Sequence, residues 1–262
     1  MFPEGPVAAI EAAGYDGVQF IDPLDRSAMA EARKAGLGTC GSGRVNLPEQ
    51  VKDIARAAAD EGLECLTLHV GWGIETDTEG SRLIEAILNA DARYDVPLYV
   101  ETHRATLFQD IRRTVDFTHR FPQLRFNGDF SHWYTGLEMV YGGFESKLKF
   151  IQPVIERVRF LHGRIGNPGC IQVAIRPGDQ PPYIAHFRAI WIECFQGYLR
   201  DPAPQQPFIT FTCELLAPEI FYARTFNGRE ESDRWAQSLL LAEIARECFT
   251  EAQRALGIEK SS

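Results

Sequence analysis

Short apolar runs alternate along this chain with segments whose apolar positions recur every three or four residues. The first kind reads as strand and the second as helix. The predicted strands are "GVQFI" (17–21), a weak strand around Gly38 to Cys40, "LECLTLHVG" (63–71), "PLYVET" (97–102), "LRFNGDF" (124–130), "VRFLHGR" (158–164) and "PFITFTCEL" (207–215). Between them lie predicted helices. "PEQVKDIARAAADEG" is opened by Pro48 and closed by Gly62. Further helices are predicted at 79–95, 107–121, 145–157, 182–200 and 229–256. In the last of these, Ala245 and Phe249 belong to an apolar stripe between Ala242 and Ala252.

Strict alternation of strand and helix makes a parallel sheet. No linker or composition break interrupts it, so one α/β domain over 1–262 is expected, a (β/α) barrel of the TIM type. The doubly wound alternative would carry a G-x-G-x-x-G turn after its first strand, and none is present. The strands number seven, not eight. The chain opens with "FPEGPVAAIEAAGYDG", a loop and a helix, where a regular barrel would already have a strand. Either the first strand is missing or it lies upstream of Met1. The gap leaves two strand edges to cover, and a second copy of the chain in a homo-oligomer is one way to cover them.

Charge and composition narrow the partners. The 262 residues carry a formal net charge of −9, with acids spread along the chain and no basic run. Nucleic acid is therefore not an expected partner. Cysteines 40, 65, 170, 194, 213 and 248 form no C-x-x-C pair, and they read as reduced thiols of a cytoplasmic protein. No basic, apolar leader opens the chain, and no apolar run reaches the ~20 residues of a membrane span.

Chemistry gathers where barrels of this class keep it, at the C-terminal ends of strands. His69 ends one strand. Glu101 ends the next and is followed by His103 and Arg104. Asp129 comes next with His132, then His162 with Arg164, then Glu214. Burying such groups uncompensated costs several kcal/mol each. One divalent metal ion held by Glu101, Asp129, His162 and Glu214 would offset that cost. A mostly oxygen donor set favours Mn²⁺ or Mg²⁺, with Zn²⁺ or Co²⁺ also admissible.

Each residue also has a plainer reading. Glu101 could pair with Arg104, and Asp129 could close an Asx turn after Gly128. His132 could cap a helix or pack under Trp133. His162 could be a hydrogen-bonded core histidine, and His69 a core residue rather than a site wall. Arg104 suits a substrate carboxylate or phosphate, or only a metal-bound glutamate. Trp72 and Trp133 could be packing residues, and His119 and His186 fall in helical stretches and look structural.

Four motifs in order, "VETHR", "DFSHW", "HGR" and the later Glu214, together with "AGYDGVQF" near the start, resemble the xylose-isomerase-like barrels. That superfamily includes sugar isomerases, ketose 3-epimerases and endonuclease IV. The resemblance spans nearly the whole chain except the first strand. It implies that Glu101, Asp129, His162 and Glu214 hold one divalent metal. It also implies that His132 and Arg164 contact substrate oxygens, with His69 and Arg104 further substrate-binding candidates and Trp133 a pocket wall. In the epimerases the two metal-bound glutamates flank the substrate. One removes a proton beside a carbonyl and the other returns it through an enediolate, which here would make Glu101 and Glu214 the acid and base. The expected substrate is a sugar or related polyol.

Other readings stay open. An endonuclease IV-like phosphodiester hydrolase would need a further His/Asp pair, where "HGRIGNPGCIQV" offers Asn167. A non-catalytic sugar-binding protein, a lyase or a dehydratase could keep the same ligands. The long connection 165–181 could reshape the site's mouth or act as a lid. The absence of a phosphate-cradling glycine loop favours an unphosphorylated substrate.

Overall fold

The structure, a computed structural model, describes residues 3–21, 24–202 and 207–258. The chain divides into two compact units, 1–101 and 102–262. Seven parallel strands are present among the described residues, four in the first unit and three in the second, each alternating with helices. This is the α/β, TIM-type pattern expected.

The first unit opens with α1 (Pro6–Ala12), and no strand precedes it among the described residues. Strands β1 (Gly17–Ile21), β2 (Gly38–Val45), β3 (Leu66–Val70) and β4 (Leu98–Glu101) pair in sequence order. They alternate with α2 (Arg26–Lys34), α3 (Pro48–Asp60) and α4 (Asp77–Asp91). Each helix has a local start signal. Asp25 caps α2 through Ala28 N at 3.0 Å. Gln50 accepts from the amides of Asn46 and Leu47 at the head of α3. Thr76 and Glu79 form a reciprocal capping box on α4.

Side chains alternate between sheet faces, and residues paired in parallel register share a face. One face therefore carries Val18, Phe20, Leu66, Leu68, Leu98 and Val100. Val18 and Phe20 pack against Val7 of α1 and Ala32 of α2. Burial of each such side chain contributes about 1.5–3 kcal/mol. The opposite face is polar: Gln19, Ser42, Thr67 and Tyr99, then Arg44, His69 and Glu101 towards the C-terminal edge. Gln19 donates to Thr67 Oγ1 at 3.0 Å across it. Strand β2 runs to Val45, five residues beyond the weak strand predicted; its final residues put Ser42 and Arg44 on this polar face and Gly41 and Gly43 on the apolar one, so no apolar run marks them as strand.

The second unit holds β5 (Phe126–Gly128), β6 (Val158–His162) and β7 (Thr210–Thr212). Its helices are α5 (Ile111–Arg120), α6 (Phe130–Gly136), α7 (Phe144–Phe150), α8 (Gln152–Ile155), α9 (Pro182–Arg200) and α10 (Arg234–Ala255). Several predicted boundaries move: the helix of 145–157 divides into α7 and α8, the strand of 207–215 shortens to β7, and the helix of 107–121 begins at Ile111. The strand expected over 124–130 stops at Gly128, because Asp129 caps α6 instead. The last helix starts at Arg234 rather than 229, because "TFNGRE" folds as a hairpin of β8 (Thr225–Phe226) and β9 (Arg229–Glu230). Its turn residues Asn227 and Gly228 both have positive φ, 51° and 73°, the geometry an Asn-Gly hairpin favours.

The connection 165–181 is tied to the rest of the second unit over its first part, up to Ile175. Ile165, Ile171, Val173 and Ile175 are buried. Gln172 grips the backbone of Leu216 from both sides, donating to its carbonyl at 3.0 Å and accepting from its amide at 2.9 Å. Gln237 of α10 does the same to Ile175, at 2.8 Å each way. All six cysteines are free thiols. No helix among the described residues is long and apolar enough to cross a membrane.

Gly163 separates two site residues, His162 and Arg164. A Cβ added there would run into the ring of Phe211, which is held edge-on by Trp191 at 5.0 Å. Gly163→Ala is therefore expected to destabilise the fold by about 1–3 kcal/mol through overpacking. Urea unfolding checks this, and an unchanged midpoint would show that Phe211 moves aside freely.

Candidate active site

In the first unit the polar face ends in a titratable pair. Glu101 is the last residue of β4 and is fully buried. His69 of β3 places Nε2 3.2 Å from its Oε1. An acid here has lost its water and needs compensating partners, and His69 is one of them.

In the second unit β5, β6 and β7 deliver a denser group. Asp129 follows β5, His162 ends β6 with Arg164 two residues on, and Glu214 lies two residues past β7. Asp129 is both helix cap and site acid. Its Oδ1 accepts from the amide of Ser131 at 3.2 Å and from its hydroxyl at 2.5 Å. Its Oδ2 faces the Arg164 guanidinium and, at 3.2 Å, His132 Nε2. The plainer Asx reading of Asp129 is thus correct about its local geometry, and it leaves Oδ2 turned to the other site residues.

Arg164 is completely buried and bridges two carboxylates. It pairs with Asp129, reaches Glu214 Oε2 at 2.9 Å and donates through Nε to Ser131 Oγ at 3.1 Å. Glu214 Oε2 also lies 3.4 Å from His162 Nδ1. Burial pushes the Asp129 carboxyl upward, but Arg164, His132 and His162 together outweigh it and hold it well below the usual carboxylate range. These neighbours favour the anionic form of Asp129, the form a cation ligand requires.

Two loops complete this group. The His103 ring lies 3.9 Å from that of His132, tilted against it by 52°, and contacts Tyr222 Oη at 3.2 Å. Tyr222 lies beneath two guanidiniums, Arg104 and Arg164, each 5.0 Å from its ring. Burial raises the Tyr222 phenol above its ordinary range, although both arginines oppose the rise. Sequence reasoning did not single out Tyr222 or Ser131. Tyr222 sits in a loop eight residues past Glu214, after a residue of positive φ, Phe221, where no periodicity points to it. Ser131 is hidden inside the "DFSH" motif as an ordinary cap residue.

Other candidates fall outside the group. Trp133 is core, not pocket wall: it is buried, packs edge-on to Phe130 and donates to Phe108 O at 3.0 Å. His186 is structural as expected, stacked on Phe144 and bonded to Tyr134 Oη at 2.8 Å. His119 is exposed on α5. Asn167, where a hydrolase would need a further ligand pair, is spent on a turn, accepting from Gly169 N and Cys170 N.

The donors fit a divalent cation. Asp129 and His162 offer ligand atoms within 4.8 Å of one another. The 3.4 Å between His162 Nδ1 and Glu214 Oε2 is close to the ~3 Å edge of an octahedron with bonds near 2.1 Å. Glu214 Oε2 is buried with ion-pair contacts but no well-formed hydrogen bond. That is the state of an oxygen whose best partner is a cation.

No family model matches the chain, and no curated protein does. Solved structures do. An L-ribulose 3-epimerase superposes with a TM-score of 0.59 over 98% of this chain and 92% of its own, at 13% identity. The chain has the xylose-isomerase-like fold. A xylose isomerase domain protein from Planctomyces limnophilus gives a TM-score of 0.56 over 96% of this chain and 93% of its own, at 15% identity. A Sinorhizobium meliloti protein gives 0.50 over 92% and 91%, at 16% identity. Coverage is close to complete in each case. The xylose-isomerase-like fold anticipated from four short motifs therefore extends over the chain, including the opening segment that lacks a strand.

Proposed function

We propose that this protein is a divalent-metal-dependent isomerase or epimerase of a sugar or related polyol. The observation that carries the reading is the convergence of Asp129 and Glu214 on Arg164, with His162 against Glu214, at the ends of three successive strands, where Asp129 and His162 are buried and Glu214 is partly buried. The fold shared with an L-ribulose 3-epimerase supports it.

In this reading Glu101, Asp129, His162 and Glu214 hold the metal. When bound, the metal polarises a carbonyl and its neighbouring hydroxyl, so that the C–H between them becomes acidic. The chain's own residues do the rest. One of Glu101 and Glu214 takes the proton from carbon, and the other supplies a proton to complete the isomerisation. His69 orients the Glu101 carboxylate. Arg164 and His162 position the Glu214 carboxylate. Ser131 and Arg164 fix Asp129, and His132 with Arg104 offers donors to substrate oxygens. Buried fixed donors of this kind stabilise developing oxyanion charge better than water does. The expected substrate is small and neither nucleic acid nor membrane is involved; a homo-oligomer is compatible with the reading.

Elemental mass spectrometry of the purified protein tests it. About one equivalent of Mn, Zn or Co per chain is expected, or Mg²⁺ binding by calorimetry, with occupancy lost in Glu214→Ala, because structural donor sites lose affinity steeply when one ligand goes. No metal uptake after reloading with each of these ions would overturn the reading.

A further inference from the structure

We infer that the site reads a carboxylate on its substrate, and that Arg44 is the residue that reads it. The inference rests on the proposed role of Glu101 as part of the reactive site.

Register places Arg44. It pairs with His69 across β2 and β3, and His69 in turn contacts Glu101 at the end of β4. The three residues form one row along the C-terminal edge of the polar sheet face. The rest of that face in β1 to β4 is neutral: Gln19, Ser42, Thr67 and Tyr99. Arg44 is thus the one cation that the register puts beside His69 and Glu101.

Arg44 is half-buried and has no carboxylate partner among the described residues. Its Nη1 donates to the carbonyl of Gly71 at 2.8 Å, and its guanidinium lies 4.8 Å from the Trp72 ring. The acid nearest that turn, Glu75, is already committed. It accepts from the amides of Trp72 at 2.6 Å and Gly73 at 2.8 Å. The turn is further set by Gly71, whose φ of +66° a side chain would strain. Arg44 is therefore held from one edge and braced by an aromatic ring on a fixed turn. Its remaining Nε and Nη2 donors form the planar fork that matches a carboxylate. A guanidinium fixed in this way presents a ready docking point for an external carboxylate. Phosphate has the weaker claim, since phosphate sites add glycine-rich loops or several amides to an arginine, and this row has neither.

Equilibrium binding tests the inference without depending on turnover. 2-Keto-D-gluconate, D-fructose and D-fructose 6-phosphate are titrated calorimetrically into the wild-type protein, Arg44→Met and Arg44→Lys, each with and without Mn²⁺. The keto acid is expected to bind about tenfold or more tightly than fructose, the loss typical of a charge-assisted hydrogen-bond pair. Arg44→Met is expected to erase that advantage while leaving fructose unchanged, and Arg44→Lys to restore part of it. Equal binding of acid and neutral sugar, or no binding of the acid, would overturn the inference. So would an Arg44→Met variant that weakens fructose as much as the acid, which would mark Arg44 as a support for the turn. A preference for the phosphate ester that vanishes in Arg44→Met would overturn the carboxylate assignment. Failure of Mn²⁺ to bind would count against the metal-dependent reading alone, because the acid-to-fructose ratio is read in its absence too.

Discussion

Glu101→Gln and Glu214→Gln are each expected to cut exchange of the substrate's α-proton with solvent by ~10²–10⁴-fold, the usual contribution of a positioned acid or base. The substitution keeps the shape of the side chain and removes its ability to take a proton. At position 101 one neighbour is His69 at 3.2 Å, which can still hydrogen-bond an amide. At position 214 the amide keeps one oxygen for Arg164 at 2.9 Å or for the metal. Neither change opens a cavity, so the thermal midpoint should stay near that of the wild type. The measurement is proton exchange in deuterated water, with metal in excess so that weakened ligation is not mistaken for lost chemistry. Near-normal exchange in either variant would remove that glutamate from the acid–base pair. Normal exchange in both would end the two-glutamate mechanism.

The second large effect concerns stability. Arg164 and Asp129 are both completely buried, and the arginine also holds Glu214. Arg164→Met removes the guanidinium that bridges Asp129 and Glu214 and leaves the buried Asp129 charge without that partner. Breaking a buried pair from one side costs about 3–5 kcal/mol. The metal-free protein should therefore lose that much in urea unfolding. Removing both charges, in Asp129→Asn with Arg164→Met, should recover a large part of it, since two neutral groups of similar size carry no unpaired charge. A single variant within about 0.5 kcal/mol of the wild type, the range of ordinary surface changes, would mean that the pair does not carry the site's stability. Added Mn²⁺ should narrow the deficit, because a cation held by the same carboxylates replaces the lost charge.

How much of this was legible beforehand depends on the side chain in question. Strands β3, β4 and β6 announce themselves because Leu, Val and Phe dominate their runs; β4 and β6 end at Glu101 and His162 as the sequence suggests, and β3 runs one residue past His69, to Val70. Strand β2 was cut short in the reading because Gly41, Ser42, Gly43 and Arg44 look like a loop. They are strand residues on a sheet whose one face is polar, and glycine at 41 makes room for Leu63 and Leu66. That is also why Arg44 escaped notice. Asp129 was assigned to a strand end because an apolar run precedes it, whereas capping physics gives it to the next helix. The Asn-Gly signal of the hairpin before α10 was present and passed over within a longer helical pattern. Tyr222 and the grip of Gln172 and Gln237 could not be read at all, since each depends on partners brought from 30 or more residues away by the fold.

The two glutamine grips give the loop after Arg164 an unusual dependence on chemistry rather than on shape. A side-chain amide that both donates to and accepts from one peptide unit acts as a replacement strand partner, and only glutamine or asparagine can play it. Deamidation of Gln172 or Gln237 to glutamate would keep size and flexibility and remove the donor, setting a carboxylate against the carbonyl of Leu216 or Ile175. Ageing of the protein at these two positions would therefore loosen a segment adjoining the candidate site without touching any residue proposed to hold metal.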